Sequence, residues 1–427
     1  MSFPITSNTY IFNRKKTTKL SRLRAFNSLT FYKIYEDLPT GTVTAGQLNA
    51  DFSVGSAVAT YTSARSASAP ATYVDASGVV QLVTTENVGR IRAGVYDETG
   101  FITVDGNGNS LKGPMMEAAG TNLITKSNNV EDAIFTKTNV TADNDDAGSS
   151  SPDSTATAPS LTATNIDGTF LLASGVTAQT YSVWIKRKTG TGTISITADS
   201  GATYAAVTVI AGWARFQVTA ASASQTCGIK LGTSGDAIYI WGNQFEASPY
   251  MTSFIPTTTA ALTRPADVLK YAIAGNRTVA TESIFIKFAP AGGDFANDGV
   301  DRYLSDTNTK KRVLYKSIGS TKTSLFPNLN DNGAHLALTT TTPLANTSYI
   351  VAGVVQHLSP YSQIYLDGTS EGTYTAADFT DPAWGTSFYV GVRNNNANGL
   401  NGIIQAIAIF SDAKDATAVS NITDILE

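Results

Sequence analysis

The sequence predicts an all-β protein: two antiparallel β-sandwich (jelly-roll) domains preceded by an extended basic N-terminal arm. Three observations predict it. Short apolar runs recur at regular spacing, bounded by Gly, Asn and Asp turns, with little helical periodicity. Charged residues make up only 15% of the chain while apolar residues reach 42%, and Ser, Thr, Asn, Gly and Ala fill the difference. That balance suits strand faces covered by Thr and turns built from Gly and Asn. The chain is 427 residues long, too long for one core, so two or three domains are expected.

Residues 1–35 form the arm. They carry Arg14, Lys15, Lys16, Lys19, Arg22, Arg24 and Lys33 and no acid, although the whole chain has a formal net charge of −4. The remainder is therefore acidic, and the asymmetry reads as a basic docking arm on an acidic body. Leu20, Leu23, Phe26 and Leu29 have the spacing of one short amphipathic helix. Docking onto an acidic protein, self-association and nucleic-acid contact are the three roles weighed. The arm supplies only the electrostatics of the last, without base-stacking or groove-reading residues, so nucleic acid is the least favoured.

Residues 36–115 read as a connector with short strands. Val79–Val83 is the clearest, and Arg90–Tyr96 leads to a hairpin at Asp97–Gly100. Residues 40–72 are weakly patterned and read as extended. Asp105-Gly-Asn-Gly-Asn-Ser110 places oxygen ligands at alternating positions, as a calcium loop does. Its sixth residue is Ser110 and its twelfth Met116, where such a loop needs Gly and Glu, so a Gly/Asn turn is preferred.

Residues 116–270 form the first sandwich. Thr136–Ser160 is polar and reads as exposed loop. Strands are predicted at Phe170–Leu172, Thr180–Lys188, Thr193–Ala198, Trp213–Thr219 and Ala237–Phe245, with Gly190-Thr-Gly192 as hairpin-turn chemistry. In Ile238-Tyr-Ile-Trp241 both alternating faces are apolar, as suits a strand between two layers. Pro249, Pro256 and Pro265 then end the sheet and mark the way to the next domain. Cys227, the single cysteine, reads as a small core residue, and no intramolecular disulfide can form.

Residues 278–427 form the second sandwich. Its strands are expected at Ser283–Phe288, Arg312–Lys316, Ser348–Val355, Ser362–Leu366, Ser387–Val392 and Ile403–Phe410. Asp367-Gly368 between two such runs is a strong hairpin signal, and a helix-like segment closes the chain at about Asp415–Leu426.

Four motifs in order carry a resemblance over roughly residues 85–270. They are Glu117-Ala-Ala-Gly-Thr-Asn-Leu-Ile124, Tyr181-Ser-Val-Trp-Ile-Lys186, Gly212-Trp-Ala-Arg-Phe216, and Gly242-Asn-Gln-Phe-Glu246 followed by Tyr250-Met-Thr-Ser-Phe-Ile-Pro-Thr257 and Arg264-Pro-Ala-Asp-Val268. The region resembles a jelly roll similar to carbohydrate-binding modules and common in fibre and surface proteins of tailed bacteriophages. The Ile364-Tyr-Leu-Asp-Gly368 hairpin, Phe388–Val392 and Asn401–Ile409 resemble a laminin-G/concanavalin-like sandwich. Gln405 stands where that family usually has an acid, so no ligand site carries over.

The sequence contains no G-x-S-x-G elbow, H-E-x-x-H pair, P-loop or dinucleotide fingerprint. His335 and His357, the two histidines, lie in separate strand contexts. Asp294, Asp298 and Asp301 share one loop and Asp143, Asp145 and Asp146 another. Such acids are more often solvated than a general acid/base pair, which needs fixed separation and unlike environments. Trp184, Trp213 and Trp241 read as core. Trp384, in a loop after Asp381-Pro382, is the best exposed ring for stacking on a sugar, and Asn394, Asn395 and Asn396 could bond hydroxyls.

The arm and the resemblances together imply a structural virion component of a tailed bacteriophage. It would be tail-fibre-like, homotrimeric and attached to other virion proteins of tail, neck or capsid through Arg14, Lys15, Lys16, Lys19, Arg22 and Arg24. The sandwiches would face outward for attachment to host-surface glycans. A capsid decoration or head-fibre protein is the alternative, and a glycan depolymerase the third reading. No enzyme activity, cofactor or bound metal is expected. No run of eighteen apolar residues occurs, so no membrane-spanning helix is expected. The N-terminus lacks a secretory-signal pattern, which fits assembly in the host cytoplasm and display on the virion surface.

Overall fold

The computed structural model describes residues 19, 21–26, 28–35, 41–43, 60–277, 281–290, 302–306, 313–316, 323–326, 337–338, 344–356, 361–374, 386–391 and 399–427. Almost every described element is a strand, and all pairings are antiparallel. The strands build two sandwiches, as the alternating patterns predict. How the chain is shared between the sandwiches differs from expectation.

The first sandwich is made entirely within residues 135–246. One five-stranded sheet runs Phe135–Thr138, Gly168–Leu172, Gly228–Leu231, Ile194–Thr197, Ala205–Val207. The other runs Val140–Asp143, Ser160–Ala163, Ala237–Glu246, Val176–Thr189, Ala214–Gln225. Phe170, Val183, Ile185, Ile196, Ile229, Ile238 and Ile240 meet between the sheets, with Cys227 among them. Thr136–Ser160 is not simply loop: two short strands stand there, each with one buried apolar residue, Phe135 and Val140. Gly190–Gly192 is not a hairpin either. Val176–Thr189 already has partners on both edges, Ala214–Gln225 and Ala237–Glu246. The next strand must therefore cross to the opposite sheet, where Ile194–Thr197 pairs with Gly228–Leu231.

The second sandwich draws strands from both ends of the chain. Its large sheet has Gly402–Phe410 beside Thr281–Pro290, then Tyr349–Gln356, Tyr361–Leu366 and Thr369–Tyr374. The free edge of Gly402–Phe410 is filled by early residues. Met115 and Met116 pair with Ile403 and Gly402, and Leu29–Ile34 pairs with Ala406–Phe410. Gly89–Arg92 and Gly41–Val43 extend the sheet beyond Gly113–Met116. The facing sheet includes Thr60–Thr62, Val268–Ala272, Ser387–Val390 and Arg302–Asp306. Period-two alternation sorts the side chains. Ile284, Ile286 and Phe288 face the core between sheets, whereas Phe285 faces the outer layer of the C-terminal helix Ala416–Leu426. Asp415 caps that helix by accepting the Ala418 amide, as an N-cap aspartate does. Asp367 and Gly368, at φ 45° and 74°, form the expected two-residue hairpin.

The basic arm expected over residues 1–35 is thus part of the body from residue 28 onward. Leu23, Phe31, Tyr32, Lys33 and Tyr35 are buried, because a strand slot beside Gly402–Phe410 is open to them. The connector expected over 36–115 likewise supplies strands to the second sandwich. Its run Arg90–Tyr96 breaks into Gly89–Arg92 and Val95–Asp97 at Gly94, where a Cβ would lie 2.2 Å from the Ile102 carbonyl oxygen.

The first sandwich is consequently an insertion. The chain leaves the second sandwich after Gly113–Met116 and re-enters it at Val268–Ala272. Between them, Gly120–Asn122 and Leu262–Arg264 pair as a two-stranded neck.

Candidate functional site

The resemblance motifs converge on the base of the neck. Glu117 directly follows the outgoing strand and Asp267 directly precedes the returning one. Their backbones are joined by a 2.9 Å bond from the Asp267 amide to the Glu117 carbonyl. Arg90 spans both acids: its Nη2 is 2.6 Å from Glu117 Oε2 and also pairs with Asp267 Oδ2, while Nη1 reaches the Thr72 carbonyl at 2.6 Å. Arg65 pairs with the other oxygen of Asp267, and Arg264 lies 3.6 Å from Glu117 and 3.8 Å from Asp267. The Ser253 amide and hydroxyl each donate to Glu117 at 2.7 Å. All five charged side chains are buried. Burial pushes the Glu117 carboxyl up, but Arg264, Arg90 and the two Ser253 donors more than offset it and hold it well below the carboxylate range.

Neighbouring motif residues fasten the neck without charge. Asn122 is fully buried and uses both ends of its amide. Nδ2 donates to the carbonyls of Asn243 (3.1 Å) and Ile255 (3.0 Å), and Oδ1 accepts from the amides of Ile124 and Phe245, both at 3.1 Å. Gln244 accepts the Ile255 amide and donates to Glu246, which in turn accepts the amide and hydroxyl of Thr252. The motifs thus mark architecture: buried polar groups are bonded, as desolvation requires.

The same strands turn an aromatic face outward. All ten residues of Ala237–Glu246 are buried. Ile238 and Ile240 point into the sandwich, while Trp241 joins Trp184 and Phe254 on the other side, with Trp241 5.2 Å and 4.5 Å from the other two rings. Gly242, at φ 68°, is required here, since a Cβ would meet Trp184 at 2.7 Å. The two hairpins of residues 71–102 cover this face through Val80, Tyr96, Val74 and Phe101. Trp184 and Trp241 are therefore core residues.

Trp213 is different. It is half-buried and donates from Nε1 to the Ser150 carbonyl at 3.1 Å. Beside it lies an open cleft of about 550 Å³, lined also by Ser77, Ser149–Ser151 and Lys186. The Lys186 ammonium donates to Ser149 Oγ at 3.0 Å. Ser151 also lines a second open cleft of about 530 Å³, with Asn128, Asn129, Asn144, Asp145 and Asp153. Hydroxyls, amides and an indole edge around an open cleft are the groups that recognise sugars.

The residues expected to bind glycan, Trp384, Asn394, Asn395 and Asn396, lie outside the described residues, as do His335, His357, Asp294, Asp298 and Asp301. Arg14, Lys15 and Lys16 also lie outside. Lys19 donates to the Leu426 carbonyl at 3.2 Å, whereas Arg22 and Arg24 are exposed. Asp146 pairs with Lys188 and accepts Ser160 Oγ, and Asp143 caps its own turn through the Asp145 amide. Asp105 caps the Gly/Asn turn by accepting the amides of Asn107 and Asn109, and its second oxygen takes the Ser348 amide. Among the described residues no group of three or more His, Cys, Asp or Glu could hold a metal ion, and no helix is long and apolar enough to cross a membrane.

Residues 280–420 match the family model described as the concanavalin A-like lectin/glucanases superfamily. Among solved structures, the chain is similar to the botulinum neurotoxin serotype D binding domain. Identity is 11% and the TM-score 0.31, over 37% of this chain and 40% of that one. It is also similar to the binding domain of botulinum neurotoxin DC in complex with SialylT, at 13% identity and TM-score 0.30 over 38% and 40%. A heptameric SAP-like pentraxin from Limulus polyphemus gives 12% identity and TM-score 0.27 over 34% and 70%. The chain spans about 40% of the length of the toxin domains it matches. No curated protein matches it. The C-terminal region is thus lectin-like in fold, and the chain as a whole is an all-β protein carrying a second jelly-roll sandwich as an insertion.

Proposed function

We propose that this chain is a non-enzymatic surface protein that attaches to glycans, of the kind displayed on tailed-bacteriophage virions. The observation that carries the glycan reading is the cleft beside Trp213, where an accessible indole, a lysine and a run of serine hydroxyls meet. The lectin/glucanase family match over 280–420 supports it independently. The virion assignment rests on the resemblance of the Glu117–Val268 motifs to fibre-protein modules. Under it, Arg22, Arg24 and the basic residues before them grip another virion protein, and the assembly is a homotrimer. A capsid decoration protein would share the same modules and differ in what those cations grip.

The test is retention on immobilised host-surface polysaccharide. The full chain is expected to be retained, and Trp213→Ala and Lys186→Met to weaken retention at least tenfold with circular dichroism unchanged. Unchanged retention in both variants would remove the cleft from the reading. Absence of retention of the wild type, or sustained release of reducing ends, would overturn the binding function itself. Detection in purified virions decides the location.

A further inference from the structure

A third, smaller cavity of about 50 Å³ lies where the covering hairpins, the inserted sandwich and the segment 251–254 meet. Its wall includes Arg92, Arg215, Trp184, Tyr96 and Glu117. Arg92 is 2% exposed, Arg215 8% and Trp184 2%. Arg92 donates one long 3.4 Å bond from Nε to the Leu111 carbonyl, and its Nη2 has no acceptor. Arg215 lies 4.1 Å above the Trp184 ring and donates from Nη2 to Ser182 Oγ at 3.0 Å, but its Nε has no acceptor. The Trp184 indole N–H has none either.

The wall is mostly apolar, but it holds two guanidinium groups and three N–H groups without an acceptor. Among the described residues, neither Arg92 nor Arg215 reaches a carboxylate at ion-pair distance. Both oxygens of Glu117 are already engaged by Arg90 and Ser253. Glu246, the other acid near Arg215, is bonded to Thr252 and Gln244. Glu117 and Glu246 act on these guanidinium groups only from beyond ion-pair distance, and the desolvation of the two cations outweighs that attraction. Water would satisfy the N–H groups but leave the charge. The space is more than the roughly 10–15 Å³ that one water needs, so it admits an occupant of water or chloride size.

We infer that this cavity binds one small monovalent anion of chloride size, held by Arg92, Arg215 and the Trp184 indole. Arg92 belongs to the strand next to the covering hairpins, whereas Arg215 and Trp184 belong to the inserted sandwich. The anion accordingly seals the cover onto the aromatic face.

The experiment is thermal unfolding of the full chain at fixed ionic strength, replacing sodium gluconate by sodium bromide. General salt effects make bromide the more destabilising of the two, so a saturable rise in Tm of a few degrees is the expected signature. Arg215→Met and Arg92→Met should abolish that rise. Because either variant could fold poorly, bromide-soaked crystals of the wild type supply the second readout, with an anomalous peak expected between Arg92 and Arg215. A Tm that falls monotonically with bromide, together with no anomalous peak in the cavity, would overturn the site.

Discussion

Glu117 and Lys33 show how the same burial has opposite consequences for two charges. Glu117 is surrounded by arginines and donors, so its folded value lies below the ordinary 4.5. Its contribution to stability is present above that value and is lost as the pH falls through the lower folded one. Replacing it with Gln leaves Arg90 and Arg264 short of a partner, and the expected cost is about 3–5 kcal/mol, readable by urea unfolding at pH 7. Lys33 is 3% exposed, its ammonium lies over the rings of Phe31 and Tyr271, and it has no hydrogen-bond acceptor. Burial pulls its value from 10.5 down to about 8. The unfolded chain therefore binds the extra proton between those two values, and stability rises with pH across that window. Lys33→Met should raise Tm at pH 7, and its advantage over the wild type should shrink as the pH approaches 10. A constant advantage would mean that Lys33 stays charged in the fold. Neither role was legible in the sequence: Lys33 sat among the basic residues of the arm, and Glu117 among motif letters whose partners lie far along the chain.

Strands were the most legible elements. The runs at 180–188, 237–245, 283–288, 348–355 and 403–410 each appear within a few residues of their predicted limits, because alternation reports directly on a half-buried or sandwiched surface. The apolar Tyr239 and Trp241 correctly announced a covered outer face, although they could not say that residues 71–102 cover Trp241 while Lys186 and Lys188 cover Tyr239. Partnership between strands was not legible. Gly190–Gly192 has hairpin chemistry, but both edges of the preceding strand are taken. Leu29–Ile34 reads as the end of an arm, yet it completes the sheet beside Gly402–Phe410. A deletion of residues 1–35 should therefore unfold the second sandwich, whereas a deletion of residues 1–17, which spares that strand, should leave the sandwich folded, as read by urea unfolding. If both truncations fold alike, the strand is dispensable and the pairing contributes little. The shorter deletion is also the one suited to testing attachment through the basic segment.

At the scale of the molecule, one sandwich is inserted into another at a two-stranded neck, and the hairpins before the insertion fold back over its aromatic face. The inserted sandwich has a complete core of its own, so residues 118–266 expressed alone should fold cooperatively. Without residues 71–102, Trp184, Trp241 and Phe254 become an exposed apolar patch, and the isolated domain should bind a hydrophobic dye that the full chain does not. Lack of dye binding would show that the face closes without its cover. Composition and alternation alone determined that the chain is all-β, that it holds two sandwiches, where most strands run, and that Asp367-Gly368 turns a hairpin. These are local properties, written in side-chain period and turn chemistry. Only the tertiary structure decided that Leu29–Ile34, Gly41–Val43, Thr60–Thr62, Gly89–Arg92 and Gly113–Met116 belong to the C-terminal sandwich, that the motif acids and arginines form one buried network, and that Trp213 borders an open cleft with Lys186 and Ser149–Ser151. Those outcomes depend on which distant strand edges and charges meet, and nothing in a residue's near neighbours encodes that meeting.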